Sequence, residues 1–396
     1  MEKEQKFINI TNLTDCTGCR ACEQICPKNC IEMVENEEGF LYPKVNEEQC
    51  INCGLCKKTC HIQNAPSRAE FFEKSEVYAM KPKTEEVAIN STSGGMFVIL
   101  AKYVLSQNGI IYGCEFDENL IARHIAIDSI KDLNKLRGSK YVSSNTLSTY
   151  KEVKENLKND KLVLYTGTPC QIAGLKNFLN KEYENLITVD IVCHGVPSQK
   201  LFSTYIEWLE SKLGDKIKKY EFRNKEKSGW GLGFTAKIET QKGKVKYLKA
   251  DFDPYYSAFL SGKTYRESCY QCKYANTERI GDFTIADFWG IEKVKPKFYS
   301  KNGISLVIVN NEKAKNIFEN INTDIILEKT NINDAIVKNH NLKEPTKRLK
   351  ERNEIYGKIQ DFENCANTYM LPKNKVKIII KNSVPQSFRM LIKKYL

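Results

Sequence analysis

The 396-residue sequence predicts an α+β protein: a small N-terminal module organised by cysteines, followed by a mixed α/β body. Three observations carry that prediction. Eight of the fifteen cysteines fall in two matching runs between Cys16 and Cys60. In the middle of the chain an apolar strand, a loop and a helix occur twice in tandem, which favours parallel neighbouring strands with right-handed crossovers. Further on, GFTAKIET and KVKYLKA predict an antiparallel hairpin.

The cysteine runs come first along the chain. Cys16, Cys19, Cys22 and Cys26 follow C-x2-C-x2-C-x3-C, closed by Pro27, and Cys50, Cys53, Cys56 and Cys60 repeat the spacing. Steps of three residues let a tight loop wrap a cube with thiolates, and Pro27 turns the chain away afterwards. This is the bacterial two-cluster ferredoxin pattern, in which three cysteines of one run and the last of the other complete each 4Fe-4S cubane. One cluster is expected on Cys16, Cys19, Cys22 and Cys60, the other on Cys50, Cys53, Cys56 and Cys26. Zinc also takes C-x2-C pairs, but zinc sites rarely need three cysteines in steps of three plus a fourth, written twice. The second run ends Cys60-His61 without the proline, so a turn of different geometry is expected there.

Composition narrows the class. Forty-one percent apolar and 28% charged residues describe an ordinary globular chain, and no apolar run approaches the length of a membrane span. The start, MEKEQKFINI, has acidic residues and no apolar signal core, so a cytoplasmic location is expected. In that reducing compartment cysteines read as metal ligands, not as a disulfide framework. The net charge of +12 is uneven: residues 1–64 carry seven Lys/Arg against ten Asp/Glu, while the stretch from Leu371 to the end carries seven and none. The module's net −3 against the +15 of the remaining body and tail together is expected to hold the module against its own body. Nucleic acid is a poor partner, because the cations are scattered and no recognition motif accompanies them. In KNKVKIIIKNSVPQSFRMLIKKYL cations mix with Ile378–Ile380, Phe388, Leu391 and Ile392. That tail reads as a packed helix with a solvated basic face, or as a basic amphipathic segment touching an anionic membrane surface or an acidic partner.

After Asn64, APSRAEFFEKSE reads as a polar linker. Ser91–Gly95 precedes MFVILAKYVLSQN, a buried helix. GIIYGCEF (109–116) is a strand and HIAI (124–127) its partner. KLVLYTGTPCQIAGLKNFL places a strand at 162–165, a loop at 166–170 and then a helix. LITVDIVCHGVPSQKLFSTYIEWL repeats the design with a strand at 186–192 and a loop at Cys193–Pro197. Strands are expected again at KKYEFRN, in the hairpin, at FTIADFWG and at GISLVIVN (303–310), the last before a helical, Lys- and Asn-rich tail.

Cys170 and Cys193 occupy equivalent loops, which in an open parallel sheet share the carboxyl edge where ligand sites form. With the C-x2-C pair Cys269 and Cys272 they make four ligands, hence the hypothesis of a third 4Fe-4S cluster. The alternative is a zinc hairpin, or no ligation, at Cys269 and Cys272, with Cys170 and Cys193 as ordinary buried cysteines. Cys30, Cys114 and Cys365 read as structural filler. Clusters carry single electrons and most metabolites accept two, so a flavin is expected as converter. Two segments are candidates for its phosphate. Ser93, Gly94 and Gly95 offer backbone N–H groups at a helix start. Arg137, Gly138, Ser139, Lys140 and Tyr141 combine fixed charge, a glycine permitting close approach and a hydroxyl; Lys140 is expected to compensate the phosphate charge. A Ser/Gly run before a helix also reads as a plain N-cap. There is no G-x-G-x-x-G, which disfavours a dinucleotide-type Rossmann domain. His194 is a candidate proton shuttle or a structural histidine.

Taken together, TSGG at 92–95, RGSKY at 137–141, TGTPCQ at 166–171, VCHGVPS at 192–198, SCYQCKY at 268–274 and GDFTIADFWG at 281–290 resemble the coenzyme F-420 hydrogenase/dehydrogenase beta-subunit family, fused to an N-terminal two-cluster ferredoxin domain. The resemblance covers residues 10–320. It implies a flavin- and iron–sulfur-containing oxidoreductase, with FAD in preference to FMN, three clusters, and electrons passing to a soluble two-electron carrier or substrate. Partners would be a redox protein such as ferredoxin or a catalytic subunit. The rival reading is an electron-relay subunit without a substrate of its own, since similar ferredoxin-fused proteins occur with surface-polysaccharide enzymes. The expected domains are 1–64 (two clusters), 75–157 (flavin phosphate site), 158–330 (third cluster and flavin) and 331–396 (helical basic tail). The acceptor would meet the flavin beside Cys193 and Asp287.

Overall fold

The computed structural model describes residues 6–66, 75–231, 233–374 and Val384. The basic amphipathic tail (375–396 apart from Val384) and positions 67–74 of the linker lie outside the described residues.

The cysteine module folds as its own repeat. In each run a short helix, α1 (Ala21–Ile25) or α2 (Leu55–Thr59), carries the third cysteine and starts from a left-handed residue, Arg20 at φ 65° or Gly54 at φ 77°. The fourth cysteine then ends the helix with nearly the same angles in both runs: φ −67°, ψ 116° at Cys26 and φ −67°, ψ 113° at Cys60. The turn that follows does differ, as the missing proline led us to expect: Gln63 and Asn64 both donate to the Cys60 carbonyl, at 3.1 and 2.8 Å, where Asn29 alone donates to that of Cys26, at 3.2 Å. His61 stands in the place of Pro27. Its ring is 1% exposed and hydrogen-bonds the hydroxyls of Tyr274 (2.7 Å) and Thr17 (3.0 Å). Side-chain hydrogen bonds hold there what the ring of Pro27 holds covalently in the first run. Strands β1 (Ile31–Glu35) and β2 (Leu41–Val45) close the module as an antiparallel pair, Ile31 opposite Val45.

The body is a mixed eight-stranded sheet with a second, antiparallel sheet of three strands. In chain order its strands are β3 (Glu76–Pro82), β4 (Ile110–Phe116), β5 (Ala122–Ile127), β6 (Val163–Gly167), β7 (Leu186–Ile191), β8 (Ile217–Glu221), β9 (Thr235–Thr240), β10 (Val245–Lys249), β11 (Phe283–Asp287), β12 (Ser305–Val309) and β13 (Ile325–Thr330). The large sheet runs β13-β3-β12-β11-β7-β6-β4-β5, parallel only across β4, β6, β7 and β11. Its central strands β7 and β12 are almost continuously buried, as apolar runs covered on both faces must be. Strands from 75–157 and from 158–330 alternate within this one sheet. The expected hairpin is β9–β10, which pairs with β8 in the small sheet.

Two expectations need correction. β12 is not the last strand: β13 pairs with β3 at the sheet edge. Half of β13 is polar or exposed, so its sequence lacks the apolar run that marks a central strand. Cys170 is not in a loop. Helix α4 (Pro169–Leu179) begins directly after β6, because Thr168 and Gln171 form a capping box around Pro169 at the first helical position. Cys170 thus sits in the first turn of α4. Helices α3 (Met96–Ser106) and α5 (Gln199–Leu213) lie where the sequence puts them. Among the described residues no helix is long and apolar enough to cross a membrane.

Candidate redox centre

The N-terminal cysteines separate into two groups. Burial raises the thiols of Cys19 and Cys22, and the nearby Cys16 and Cys60 raise them further. Cys26, Cys50, Cys53 and Cys56 line a separate small cavity. Cys30, read from sequence as filler, lines that cavity too. Its Sγ lies 3.4 Å from that of Cys26, and burial followed by this contact pushes its thiol up to about 12. At Cys26 burial acts upward but hydrogen bonds from Cys30, Lys28 and Asn29 outweigh it, so that thiol is lowered. Nothing in the spacing of Cys30 signals this, since it falls outside the repeat. Cys53 is exposed, and Ile51 and Leu55 beside it are exposed apolar residues.

A third group forms at the carboxyl edge of the parallel strands. Cys170 comes from α4, Cys193 from the loop after β7, and Cys269 and Cys272 from the short 3-10 helix Glu267–Gln271 and its end. Burial raises Cys193 strongly, and Cys269, Cys170 and Cys272 add to the rise. Cys170 is pushed up to about 11, by burial first and with Cys272 contributing. This group adjoins the first: Cys19 feels the charge of Cys170. Gly174 on α4 permits the approach, because a Cβ there would lie 3.0 Å from the Cys19 sulfur. Among the described residues no three His, Cys, Asp or Glu side chains gather closely enough to hold a single metal ion.

These four cysteines open onto a cleft of about 800 Å³, and so do both candidate phosphate segments. Arg137 lines the cleft with unanswered donors: its Nε and Nη2 are buried and have no partner, while Nη1 donates to Asn134 at 3.2 Å. Burial lowers its guanidinium. Gly138 beside it, at φ 81°, faces open space. The backbone N–H of Ser139 donates to the Thr92 hydroxyl at 3.1 Å, which ties the two segments together. Lys140 is placed otherwise than expected. Its ammonium donates to the carbonyls of Arg137 (2.8 Å) and Lys135 (3.0 Å), and burial lowers it to about 8. Ser93 and Gly95 line the cleft, but Gly94 packs against the backbone of Met80 and Ser305, where a Cβ would come within 2.6 and 2.5 Å. Tyr141 stacks on Phe259 with centroids 4.1 Å apart.

Two further cations near the cleft, Lys225 and Arg223, were not legible in the sequence. Lys225 donates to the carbonyls of Ala88, Ser93 and Asn302 at 2.8, 2.7 and 2.5 Å, fastening the Ser91–Gly95 turn. Burial lowers its ammonium to about 7. Arg223 pairs with Asp287 at 3.0 Å, and the indole N–H of Trp230 donates to the same carboxylate at 2.5 Å. His194 lines the cleft, its ring lowered by burial.

Residues 15–64 match the family model described as a 4Fe-4S dicluster domain. Residues 160–335 match the model that describes the C terminus of the coenzyme F420 hydrogenase/dehydrogenase beta subunit. An F(420)H(2) dehydrogenase subunit of Methanosarcina mazei is 24% identical over 178 residues, covering 43% of this chain and 50% of that protein. An uncharacterized ferredoxin of Methanocaldococcus jannaschii is 37% identical over 60 residues, 15% of this chain and 32% of its own length. The chain thus spans half or less of these curated relatives. Among solved structures, the F420-reducing NiFe hydrogenase complex of Methanosarcina barkeri contains a chain similar over 76% of this one and 96% of its own, with TM-score 0.45 and 16% identity.

Proposed function

The chain belongs to the coenzyme F420 hydrogenase/dehydrogenase beta-subunit family with a 4Fe-4S dicluster ferredoxin domain ahead of it, and from that premise we propose that it is a cytoplasmic iron–sulfur flavoprotein oxidoreductase. It passes electrons between a low-potential one-electron donor and a two-electron carrier or substrate. In this reading residues 1–64 hold two clusters, 75–157 the flavin phosphate, and 158–330 a third cluster and the flavin. When bound, the clusters supply one-electron steps and the flavin, FAD in preference to FMN, joins them to two-electron chemistry.

The observation that carries the reading is the order of the sites. Exposed Cys53, flanked by Ile51 and Leu55, offers a donor protein such as ferredoxin a contact on the outer face. The interior group of Cys16, Cys19, Cys22 and Cys60 adjoins Cys170, and the Cys170 group shares a cleft with Arg137. The chain's residues then have separate tasks. Gly174 lets the two cysteine groups approach, Lys225 holds the Ser91–Gly95 turn, and Arg137 presents two free donors to an anion. Two runs of C-x2-C-x2-C-x3-C suit cubanes better than lone zinc ions. A second reading, a relay subunit serving a catalytic partner, is favoured by one curated relative being itself a subunit.

Anaerobic purification with iron and flavin analysis separates the two: about twelve irons and one flavin are expected, from three cubanes. About eight irons and no flavin would sink the enzyme reading. Within the flavin site, Arg137→Met is expected to weaken flavin binding about tenfold to a hundredfold. A charge-assisted phosphate contact contributes roughly 1.5–3 kcal/mol. Lys140, whose ammonium already serves two carbonyls, moves from phosphate partner to a structural role. Equal flavin affinity in Arg137→Met and wild type would put the phosphate elsewhere.

A further inference from the structure

Arg266 is a buried cation that no carboxylate answers. It stands at the start of the helix Glu267–Gln271 that carries Cys269, and it is 1% exposed. Its Nε donates to the carbonyl of Cys16 at 2.7 Å and its Nη2 to that of Leu41 at 2.8 Å. The guanidinium also lies 4.1 Å from the centroid of the Tyr42 ring. Gly18, between Cys16 and Cys19 at φ 72°, leaves it room, since a Cβ there would sit 3.0 Å from Nη1. Among the described residues no carboxylate oxygen comes within 4.0 Å of it. The two other buried arginines differ: Arg279 pairs with Asp190, and Arg352 with Glu38 and Glu267.

Carbonyls and ring faces offset only part of the cost of burying a guanidinium. The sulfur sites on either side are placed to supply the rest. Arg266 touches the first cysteine run through Cys16 and Gly18, and its own backbone carbonyl accepts the N–H of Cys269 at 2.9 Å, which ties it to the third group as well. It bonds nothing around the cavity of Cys26, Cys50, Cys53 and Cys56. Cubanes held by four thiolates are anionic, and each becomes more so on reduction.

We propose that Arg266 is the shared fixed counter-charge of the first and third clusters, raising both reduction potentials relative to that of the outer, second cluster, so that an electron entering there is drawn inward. This rests on the three-cluster reading and deepens it. Arg266 is a positioning residue for charge: it acts on the clusters through the field it sets up. Removing it should disfavour the reduced form at both places and leave the outer cluster alone.

The test is an EPR-monitored redox titration of the full-length protein, comparing wild type with Arg266→Gln and Arg266→Lys. In the Gln variant the reduction equilibria of the first and third clusters should fall about tenfold, about 59 mV for a one-electron couple. The second cluster should not move, and Lys should restore most of the loss. An iron-replete Gln variant with unmoved potentials overturns the proposal. So does an equal shift at all three clusters, which would mean a general loosening. Gly18→Ala keeps the arginine but displaces its guanidinium, and should give a smaller shift at the same two clusters even if Arg266→Gln does not fold; no shift there also overturns the proposal. Iron analysis of the wild type separates this from the reading beneath it. About eight irons would remove the third cluster itself, whereas about twelve with unshifted potentials would remove only the role of Arg266.

Discussion

Alanine in place of Cys193 or Cys272 is expected to strip about four irons from the protein and to leave the N-terminal module loaded. The expectation follows from how the third group is assembled. Its cysteines arrive from three separate elements, so each supplies a ligand that no neighbour can replace. The elements themselves are held by other means: the capping box at Thr168 for α4, and parallel pairing with β6 and β11 for β7. Losing a thiol should therefore empty the site without unfolding its walls. The module's two groups are formed within residues 16–60 and should keep their eight irons, about four each. Cys365→Ala, whose buried thiol donates to the carbonyl of Ile355 at 3.7 Å and is not among the cleft-lining cysteines, serves as the control and should lose none. Unchanged iron in both Cys193→Ala and Cys272→Ala would defeat the third cluster, and zinc at that site would register in the same metal analysis.

The contrast between the sites explains what the sequence could disclose. The eight N-terminal cysteines were legible because their spacing is local and is the wrapping geometry itself. Cys170 and Cys193 were legible one step further, through the rule that loops after parallel strands share an edge, even though Cys170 proves to be helical. Arg137 was legible as a charge beside a glycine, but not its precedence over Lys140, which depends on carbonyls that only the folded turn brings round. Arg223, Lys225 and Arg266 were not legible. Each is a single cation whose partners lie far away in sequence, and no short pattern encodes that meeting. Strands β3 and β13 were missed for a related reason: they complete the sheet at its far side, where partial exposure dilutes the apolar signal.

The same folding logic revises how the module is attached. Opposite net charge was expected to press it onto the body, yet among the described residues the one ion pair across this boundary is Arg352–Glu38. Directional hydrogen bonds do the rest: Arg266 to Cys16 and Leu41, Tyr274 to His61, and the backbone of Tyr150 to Gln24 at 2.9 Å. Such bonds specify orientation, as a relay between fixed sites requires, where net charge specifies only proximity.

Asp190→Ala is expected to cost about 3–5 kcal/mol, a large part of the roughly 5–15 kcal/mol that holds an ordinary domain together. Asp190 lies on β7 with no exposure, and its carboxylate accepts Arg279 Nη2 at 2.7 Å and the backbone N–H groups of Gly281 (2.8 Å) and Ile280 (3.1 Å). Arg279 in turn donates to the carbonyls of Tyr274 (2.7 Å) and Ile191 (3.0 Å). This knot joins the end of β7, three residues before Cys193, to the segment that follows Cys272 and leads into β11. Alanine would leave a guanidinium and two amides buried without their acceptor, and each uncompensated group adds to the penalty. Asp190→Asn keeps an acceptor oxygen and should fall between alanine and wild type. The anaerobic urea midpoint reads the effect, and iron analysis of the surviving folded fraction should show the third group failing before the N-terminal module. A midpoint for Asp190→Ala within error of wild type would mean that β7 and β11 are held by their ladder and apolar faces alone.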